Sequence, residues 1–175
     1  MLVTISGLPG AGTSTVARRV AAEVGLDHLD GGTVFRQLAA ASGMSLAEFS
    51  ARAEQRSDID VELDRRLAER AHRGEVVLES RLAGWIATNE GLDGLRVWID
   101  CDEVTRARRV AQRDGVDPER ARGANRQREA SERARYREYY GIDLGDLSIY
   151  DVVLDSAHAR PDDLAAAIVR RVGAE

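Results

Sequence analysis

Short apolar runs alternate along this chain with longer segments in which apolar residues recur at helical spacing. Residues 13–24 are one such segment, because Val16, Val20 and Val24 fall on one face of a helix. Gly25 then supplies a helix stop. Four runs have the length and composition of buried strands: LVTIS at 2–6, VVL at 76–78, LRVWI at 95–99 and YDVVL at 150–154.

Helical patterns occupy the intervals between these strands. Ser45 and Glu48 form a capping-box pattern that opens one helix. Pro118 suits the first turn of a long arginine-rich helix that ends before Gly141. Other helices are predicted over 34–41, 58–72, 104–113 and 162–172. Strands that alternate with helices predict an α/β fold with a mostly parallel sheet, and the lack of repeats or long linkers predicts one domain over 1–175.

Composition and charge exclude several classes of protein. The 25 basic and 30 acidic residues give a net charge of −5, whereas a general nucleic-acid binder needs the opposite balance. No apolar run approaches the roughly 20 residues that a bilayer span needs. We therefore expect neither a nucleic-acid nor a membrane partner. The N-terminus has no basic start or cleavage site, and the single cysteine, Cys101, cannot form an internal disulfide; both indicate the cytoplasm.

The segment GLPGAGTS at 7–14 carries the most informative chemistry. It fits G-x-x-x-x-G-K-[ST] at every position except the lysine, and it lies between a predicted strand and a predicted helix. In that context glycines let backbone amides cradle phosphate oxygens, while the helix N-terminus favours the anion. Ser14 occupies the position whose hydroxyl ligates Mg²⁺. We predict that nucleotide phosphates bind Gly7, Leu8, Pro9, Gly10, Ala11, Gly12, Thr13, Ser14 and Thr15.

Thr13 stands where the motif has lysine, and the chain contains no lysine at all, since all 25 basic residues are arginine. Exchanging an ammonium–phosphate contact for a hydroxyl costs about 1.5–3 kcal/mol. Phosphoryl-transfer enzymes must lower their barrier by at least about 8 kcal/mol. The exchange therefore weakens catalysis without excluding it, and we expect arginines elsewhere to restore the charge.

Charged residues near two other segments could contact phosphate. Arg36 follows a glycine turn at the start of a helix, where a guanidinium can fork onto a monophosphate. Glu79 and Arg81 follow a strand, and sites in parallel sheets form beyond the carboxyl ends of strands. Glu79 could thus hold Mg²⁺ through water and Arg81 could contact a phosphate. A solvated arginine and a strand-end salt bridge are the alternatives.

The predicted long helix is strongly basic, with seven arginines against three glutamates between 118 and 137. Arg128, Glu132 and Arg135 lie at positions i, i+4 and i+7, on one helical face. A solvated charged helix is the usual explanation for such a run. A lid that clamps phosphate is the more specific hypothesis, and Gly123 and Gly141 could serve as its hinges.

Taken together, these segments resemble the nucleoside monophosphate kinases, most closely the cytidylate kinases of the archaeal branch. The match runs nearly end to end, and its most specific parts are RLAGW at 81–85, RYREYYGID at 135–143 and LSIYD at 147–151. The resemblance implies a P-loop NTPase fold, a three-layer α/β/α domain with a five-stranded parallel sheet. It also implies an acceptor-binding helical insert at about 33–73 and a lid at about 118–140.

The resemblance further implies that a monomer transfers the γ-phosphoryl group of ATP to CMP or dCMP with Mg²⁺. Catalysis would rest on positioning and charge neutralisation, as phosphoryl transfer generally does. Ser14 and Glu79 would hold the metal, and Glu132 would orient the lid arginines. The catalytic residues implied are Arg81, Arg128 and Arg135. The acceptor-binding residues expected are Gly32, Arg36, Arg65 and Arg81.

One departure from the family concerns base selectivity. Leu82 stands where the bacterial cytidylate kinases carry an aspartate that helps read cytosine. Selectivity must then come from another residue, for which Arg65 and Asp64 are candidates. Three alternatives remain open. The first is a P-loop kinase with a UMP, AMP or shikimate-like acceptor. The second, which Thr13 motivates, is a nucleotide-binding regulatory protein without turnover, and the third is an RNA-binding module built on the basic segment 118–137.

Overall fold

The computed structural model describes residues 1–173, with the backbone alone for Leu46 and Ala47. Positions 174 and 175 of the predicted domain lie outside the described residues. The strands are β1 (Leu2–Gly7), β2 (Asp27–Asp30), β3 (Val76–Glu79), β4 (Leu95–Asp100) and β5 (Val152–Asp155). The helices are α1 (Thr13–Val24), α2 (Gly31–Ala41), α3 (Leu46–Ala53), α4 (Ser57–His72), α5 (Ala83–Asn89), α6 (Glu103–Asp114), α7 (Pro118–Tyr140) and α8 (Pro161–Val172).

The five strands form one parallel sheet in the order β2-β3-β1-β4-β5. Strand β1 lies in the middle and all six of its residues are buried. Continuous burial is typical of a strand covered on both faces, which parallel crossovers require. The prediction of an α/β fold with a five-stranded parallel sheet is thus confirmed.

Two large apolar clusters fill the space between the sheet and its helices. In one, α1 and α8 supply side chains such as Val20 and Ile168, which are fully buried with β1 and β4. In the other, Leu38 of α2, Leu67 of α4 and Ile86 of α5 pack with β3. Helices on both sides of the sheet make a three-layer domain.

Caps at the helix N-termini explain where several helices begin. The Asp30 carboxylate accepts from the Thr33 amide at 2.8 Å, and the predicted capping box of Ser45 and Glu48 is present. Asp117 caps α7 directly before Pro118. Helix α1 differs, because its N-cap is Gly12 and no side chain caps it. The first amides of α1 are consequently left without a side-chain acceptor.

Several predicted boundaries differ from the structure. The last strand begins at Val152 instead of Tyr150, because the Tyr150 ring turns inward and packs 5.3 Å from Trp98, centroid to centroid. The prediction named no strand at β2 and no helix at α5. Helix α7 runs unbroken through Gly123, so the suggested hinge lies inside a continuous helix.

Two segments outside the sheet frame its carboxyl edge. Helices α2, α3 and α4 stand together between β2 and β3, where the acceptor insert was predicted. Helix α7 packs along α6, with Val110, Ala111 and Ala121 buried between them. No helix among residues 1–173 is both long and apolar enough to span a membrane.

Helix α5 approaches the Tyr150 ring so closely that only glycine fits at position 84. A Cβ built on Gly84 would overlap Cε1 of that ring and lie 2.9 Å from Cζ. Because Tyr150 is buried, Gly84→Ala should lower the free energy of unfolding by about 1–3 kcal/mol. The melting temperature should fall by about 2–4 °C for each kcal/mol lost.

Gly123→Ala is the matched control for this prediction. It is the same change in a helix interior, at an exposed position where a Cβ meets nothing within 4 Å. It should raise stability by about 0.5–1 kcal/mol, since alanine loses less backbone entropy than glycine. Equal melting temperatures for the two variants would contradict the close approach at Gly84.

Candidate active site

Residues that follow β1 and β3 meet at the carboxyl edge of the sheet. The two strands are neighbours, and Ile5 of β1 stands in register with Glu79 at the end of β3. Parallel strands that end together create a crevice in which α/β proteins bind ligands. The structure therefore brings the predicted phosphate loop and the predicted strand-end residues together.

The backbone of the loop at 7–15 has the shape of an anion cradle. Gly10 and Gly12 have φ angles of 85° and 93°, in the left-handed region that side chains disfavour. Such turns direct successive amides to one side, and the uncapped N-terminus of α1 adds its own amides and dipole. The loop therefore fits the nucleotide phosphates predicted to bind there.

Arg106 of α6 holds this loop from its far side. Its guanidinium is buried, donates to the carbonyls of Pro9 at 3.2 Å and Cys101 at 3.0 Å, and pairs with Glu129 of α7. A Cβ on Gly10 would lie only 2.5 Å from the Arg106 carbonyl oxygen. The left-handed glycine is thus required both by its φ angle and by the packing of α6.

Arg109, one turn later, fixes the second half of the loop. Its guanidinium donates to the Ala11 carbonyl at 3.3 Å and to the Ser156 carbonyl at 2.6 Å. The Ser156 hydroxyl donates to the same Ala11 carbonyl at 2.7 Å. Sequence reasoning missed both of these arginines, because nothing in the pattern of α6 indicates which loop it crosses.

A buried carboxylate, Glu79, joins the loop to the neighbouring strands. Its Oε1 accepts hydrogen bonds from the Thr13 hydroxyl at 2.7 Å and the Ser14 hydroxyl at 2.6 Å. Its Oε2 lies 3.1 Å from Nε2 of His28, on β2. The residue in the lysine position therefore binds the strand-end acid. His28 was not predicted here, because β2 was not recognised as a strand.

The donor set around Ser14 suits magnesium bound together with a nucleotide. A hydroxyl and a carboxylate are the hard oxygen ligands that Mg²⁺ prefers, and such sites rely on phosphates and water for the rest. Within residues 1–173, no group of three or more His, Cys, Asp or Glu side chains is placed to hold a metal. The described residues accordingly fit a Mg²⁺–phosphate complex better than an all-protein metal site.

Arg81, Glu132 and Arg128 form a bridge between the end of β3 and helix α7. Glu132 is buried and accepts from Arg81 Nε at 3.0 Å and from Arg128 Nε at 2.8 Å. Burial alone would raise the pKa of Glu132, but the two guanidiniums bring that pKa below its usual value. Arg81 also donates to the Gly7 carbonyl at 2.6 Å, which places its charge at the entrance of the loop.

Arg135 turns away from this bridge and toward α4. Its Nε donates to the Asp60 carboxylate at 2.8 Å, and another guanidinium nitrogen donates to the Ser131 hydroxyl at 2.6 Å. Burial keeps the pKa of Asp60 above its usual value although Arg135 lowers it. The three residues predicted to share one face of α7 therefore make different contacts. Glu132 binds Arg81 and Arg128, whereas Arg135 binds Asp60 on α4.

Three further polar groups lie beside Asp60 between α4 and α7. Asp64 is partly buried, and burial raises its pKa to about 7, with the Tyr140 hydroxyl opposing this shift and the Asp60 carboxylate adding to it. Tyr136 is only 8% exposed, and burial together with Glu132 raises the pKa of its hydroxyl. Burial raises the pKa of the Tyr140 hydroxyl, and the neighbouring Asp64 carboxylate raises it further.

The remaining predicted acceptor residues lie on α2 and α4. Arg36 is largely exposed and donates to the Thr33 hydroxyl at 2.8 Å. A Cβ on Gly32 would lie 3.3 Å from the Arg36 guanidinium, so glycine leaves that side chain room. Arg65 has a side chain 52% exposed that pairs with Glu62 and Glu69 on the surface of α4. An acceptor contact by Arg65 stays a prediction.

Comparison with known proteins agrees with this geometry. The profile of the Cytidylate kinase-like family matches residues 2–158. A protein named Cytidylate kinase from Methanopyrus kandleri is 46% identical over 170 residues, which cover 93% of this chain and 88% of that protein. Another of the same name, from Halorubrum lacusprofundi, is 46% identical over 175 residues, 99% of this chain and 90% of that protein.

Solved structures show the same fold at much lower identity. Shikimate kinase from Acinetobacter baumannii aligns over 99% of this chain and 93% of its own, with a TM-score of 0.62 and 17% identity. At that identity the likeness supports the P-loop kinase fold alone. The sequence relationship is strong enough to show the family as well, and it confirms the prediction: this chain belongs to the cytidylate kinase-like family.

Proposed function

We propose that this chain transfers the γ-phosphoryl group of ATP to CMP, and to dCMP, with Mg²⁺ as cofactor. The observation that carries the proposal is the contact of Arg81 with the Gly7 carbonyl at 2.6 Å, because it joins the arginine we assign to the acceptor phosphate to the loop we assign to the donor phosphates. The two 46% identical relatives named Cytidylate kinase support CMP as the acceptor.

The donor side of the reaction would rest on the loop at 7–15. Its amides and the N-terminus of α1 bind the β- and γ-phosphates. Ser14 would ligate the cofactor directly and Glu79 through water, and His28 keeps the Glu79 carboxylate turned toward both hydroxyls of the loop. Mg²⁺ held by Ser14 and Glu79 would supply charge neutralisation to the phosphates.

The acceptor side would rest on arginines. Arg36 and Arg81 bind the phosphate of the acceptor, and their forked guanidiniums suit it. Arg128, whose side chain is 61% exposed, can swing from Glu132 onto the transferring group as nucleotides bind. Arg81 and Arg128 would thereby supply the positive charge that Thr13 cannot.

The alternative functions find less support in these residues. A regulatory protein without turnover would use the donor loop and its metal-binding groups, but it has no need for an acceptor arginine held in the same crevice. Of the basic residues on α7, Arg122 and Arg126 both pair with Glu103 of α6, which leaves less charge for RNA. The structural likeness to shikimate kinase supports the fold but does not indicate which acceptor is used.

We also propose that the chain acts as a monomer in the cytoplasm. The large apolar side chains exposed among the described residues are Met1, which precedes β1, and Val61, Val104 and Val153, which lie one each on α4, α6 and β5, so no single element presents an exposed apolar stripe of the kind that marks stable interfaces. Cys101 is a free, buried thiol, which suits a reducing compartment.

An acceptor panel tests the proposed reaction. ADP release is measured with ATP and Mg²⁺ against CMP, dCMP, UMP, AMP and GMP in parallel. We expect rapid turnover with CMP and dCMP and much less with the others. Faster turnover on a different monophosphate would move the assignment to that acceptor, and ATP binding without turnover on any of them would favour the regulatory alternative.

Replacing Arg128 tests the role of the lid arginine. Arg128→Gln should lower kcat for CMP about 10²- to 10³-fold, the cost of removing one preorganised donor from a developing charge. The KM for ATP should change little, because the loop binds the donor. Arg133→Gln is the matched control, since Arg133 is exposed on the same helix outside the bridge. Equal kcat values for the two variants would exclude Arg128 from the reaction.

A further inference from the structure

Arg106 connects the phosphate loop to helix α7. Its side chain is only 5% exposed, and its Nε donates at 3.0 Å to the carbonyl of Cys101, just after β4. One of its terminal nitrogens donates to the Pro9 carbonyl at 3.2 Å and also to the Glu129 carboxylate of α7. A buried cation is costly unless it is paired and hydrogen-bonded. The loop and α7 therefore share one buried guanidinium.

A second arginine makes a similar connection at the start of the loop. Arg81 donates to the Gly7 carbonyl at 2.6 Å and to the Glu132 carboxylate at 3.0 Å. Glu129 and Glu132 occupy positions i and i+3 of α7, and each binds an arginine that also binds a carbonyl of the loop. Arg128, which we assign to the transferring group, is the residue next to Glu129.

The middle of α7 depends on polar contacts. The buried residues of this helix are Ala121, Asn125, Glu132 and Tyr136. Those in its middle are therefore polar. Glu103 of α6 pairs with Arg122 and Arg126, but these side chains are 33–60% exposed, and exposed pairs contribute little to stability. The Arg106–Glu129 pair is far more buried, and removing one partner of a buried pair leaves a charge without compensation.

The contact of Glu129 with α6 also sets how α7 is rotated about its axis. Successive helical residues differ by about 100° around the axis, whereas residues i and i+4 share a face. With Glu129 held against α6, Arg128 and Glu132 are turned toward Arg81. A small rotation or shift of α7 would therefore carry Arg128 away from phosphates bound at the loop.

We propose that the buried Arg106–Glu129 pair positions Arg128 for phosphoryl transfer by fixing α7 to the phosphate loop. Arg106 and Glu129 are then positioning residues, which act through Arg128 and not on the transferred group. The proposal rests on the proposed function, because that function gives Arg128 its role.

Glu129→Gln is the first test. Glutamine has the length of glutamate without its charge, so the ion pair is lost while Arg106 keeps its two carbonyl acceptors. The kcat for CMP should fall at least about 10-fold, because misplacing a reacting group by about 1 Å can cost about 10²-fold. The KM for ATP should change little, since the amides of the loop bind the donor. A wild-type kcat would overturn the proposal.

A double-mutant cycle in kcat distinguishes positioning from a merely structural role. In an Arg128→Gln background, Glu129→Gln should lower kcat no further, because the group that Glu129 positions is already missing. If Glu129→Gln lowers kcat by the same factor in both backgrounds, the pair acts independently of Arg128 and the proposal is wrong.

Glu138→Gln is the matched control, since it makes the same chemical change at an exposed residue of the same helix. Its kcat should equal that of the wild type. Thermal melting verifies that Glu129→Gln is folded. If it is not, the cycle is run with Arg106→Met combined with Glu129→Leu, because apolar residues in place of both partners of a buried pair are often tolerated. The same two outcomes then support or overturn the proposal.

Hydrogen exchange provides a readout that needs no turnover. Mg²⁺ and ADP bound at the loop should slow amide exchange at residues 125–132 in the wild type and in Glu138→Gln, because the pair links the loop to α7. Glu129→Gln should lose this protection, and equal protection in it would overturn the link. If the wild type phosphorylates no monophosphate, the proposed function is wrong, and the exchange measurement alone decides whether the pair fixes α7 to the loop.

Discussion

The Glu79 carboxylate is the constraint around which the phosphate end of the site is arranged. It is buried at the end of a central strand, and burying a charge is costly unless hydrogen bonds compensate it. The two hydroxyls of the loop and the His28 ring provide that compensation. Thr13, which stands in the lysine position, thus helps to compensate the buried Glu79 carboxylate through its hydroxyl, and no ammonium group competes for that carboxylate. Under the proposed function, charge neutralisation of the phosphates would then fall to the arginines around the crevice.

The directions of those arginine side chains are set by the carboxylates with which they pair. On α7, the basic helix, Glu103 of α6 binds Arg122 and Arg126, and Arg137 pairs with Asp143 beyond the helix end. These contacts secure α7 along α6 and take no part in the crevice. Glu132 keeps Arg128 near Arg81 instead. The interpretation as a charged surface helix therefore fits Arg122, Arg126 and Arg137, while a lid that uses Arg128 stays a prediction.

Features governed by neighbouring residues could be predicted from the sequence. The first strand and helix, the capping box and the extent of α7 depend on local periodicity and caps, and all were predicted closely. Strand β2 was missed because DHLD is short, polar and at the sheet edge, where pairing with β3 alone makes it a strand. The contacts of Arg106 and of Arg135 could not be predicted either, since each depends on how a helix crosses a segment distant in the chain.

The two candidates for base selectivity show how different the surroundings of two consecutive helical residues can be. Arg65 and Asp64 are adjacent in sequence, but about 100° apart around α4, so one faces solvent with its glutamate partners and the other faces α7. Sequence alone left both open because the buried face of so polar a helix is hard to identify. The phosphate loop is common to P-loop kinases with different acceptors. Selection of the acceptor must therefore come from residues outside the loop, and the structure separates the two candidates by placing Asp64 against α7 and Arg65 in solvent.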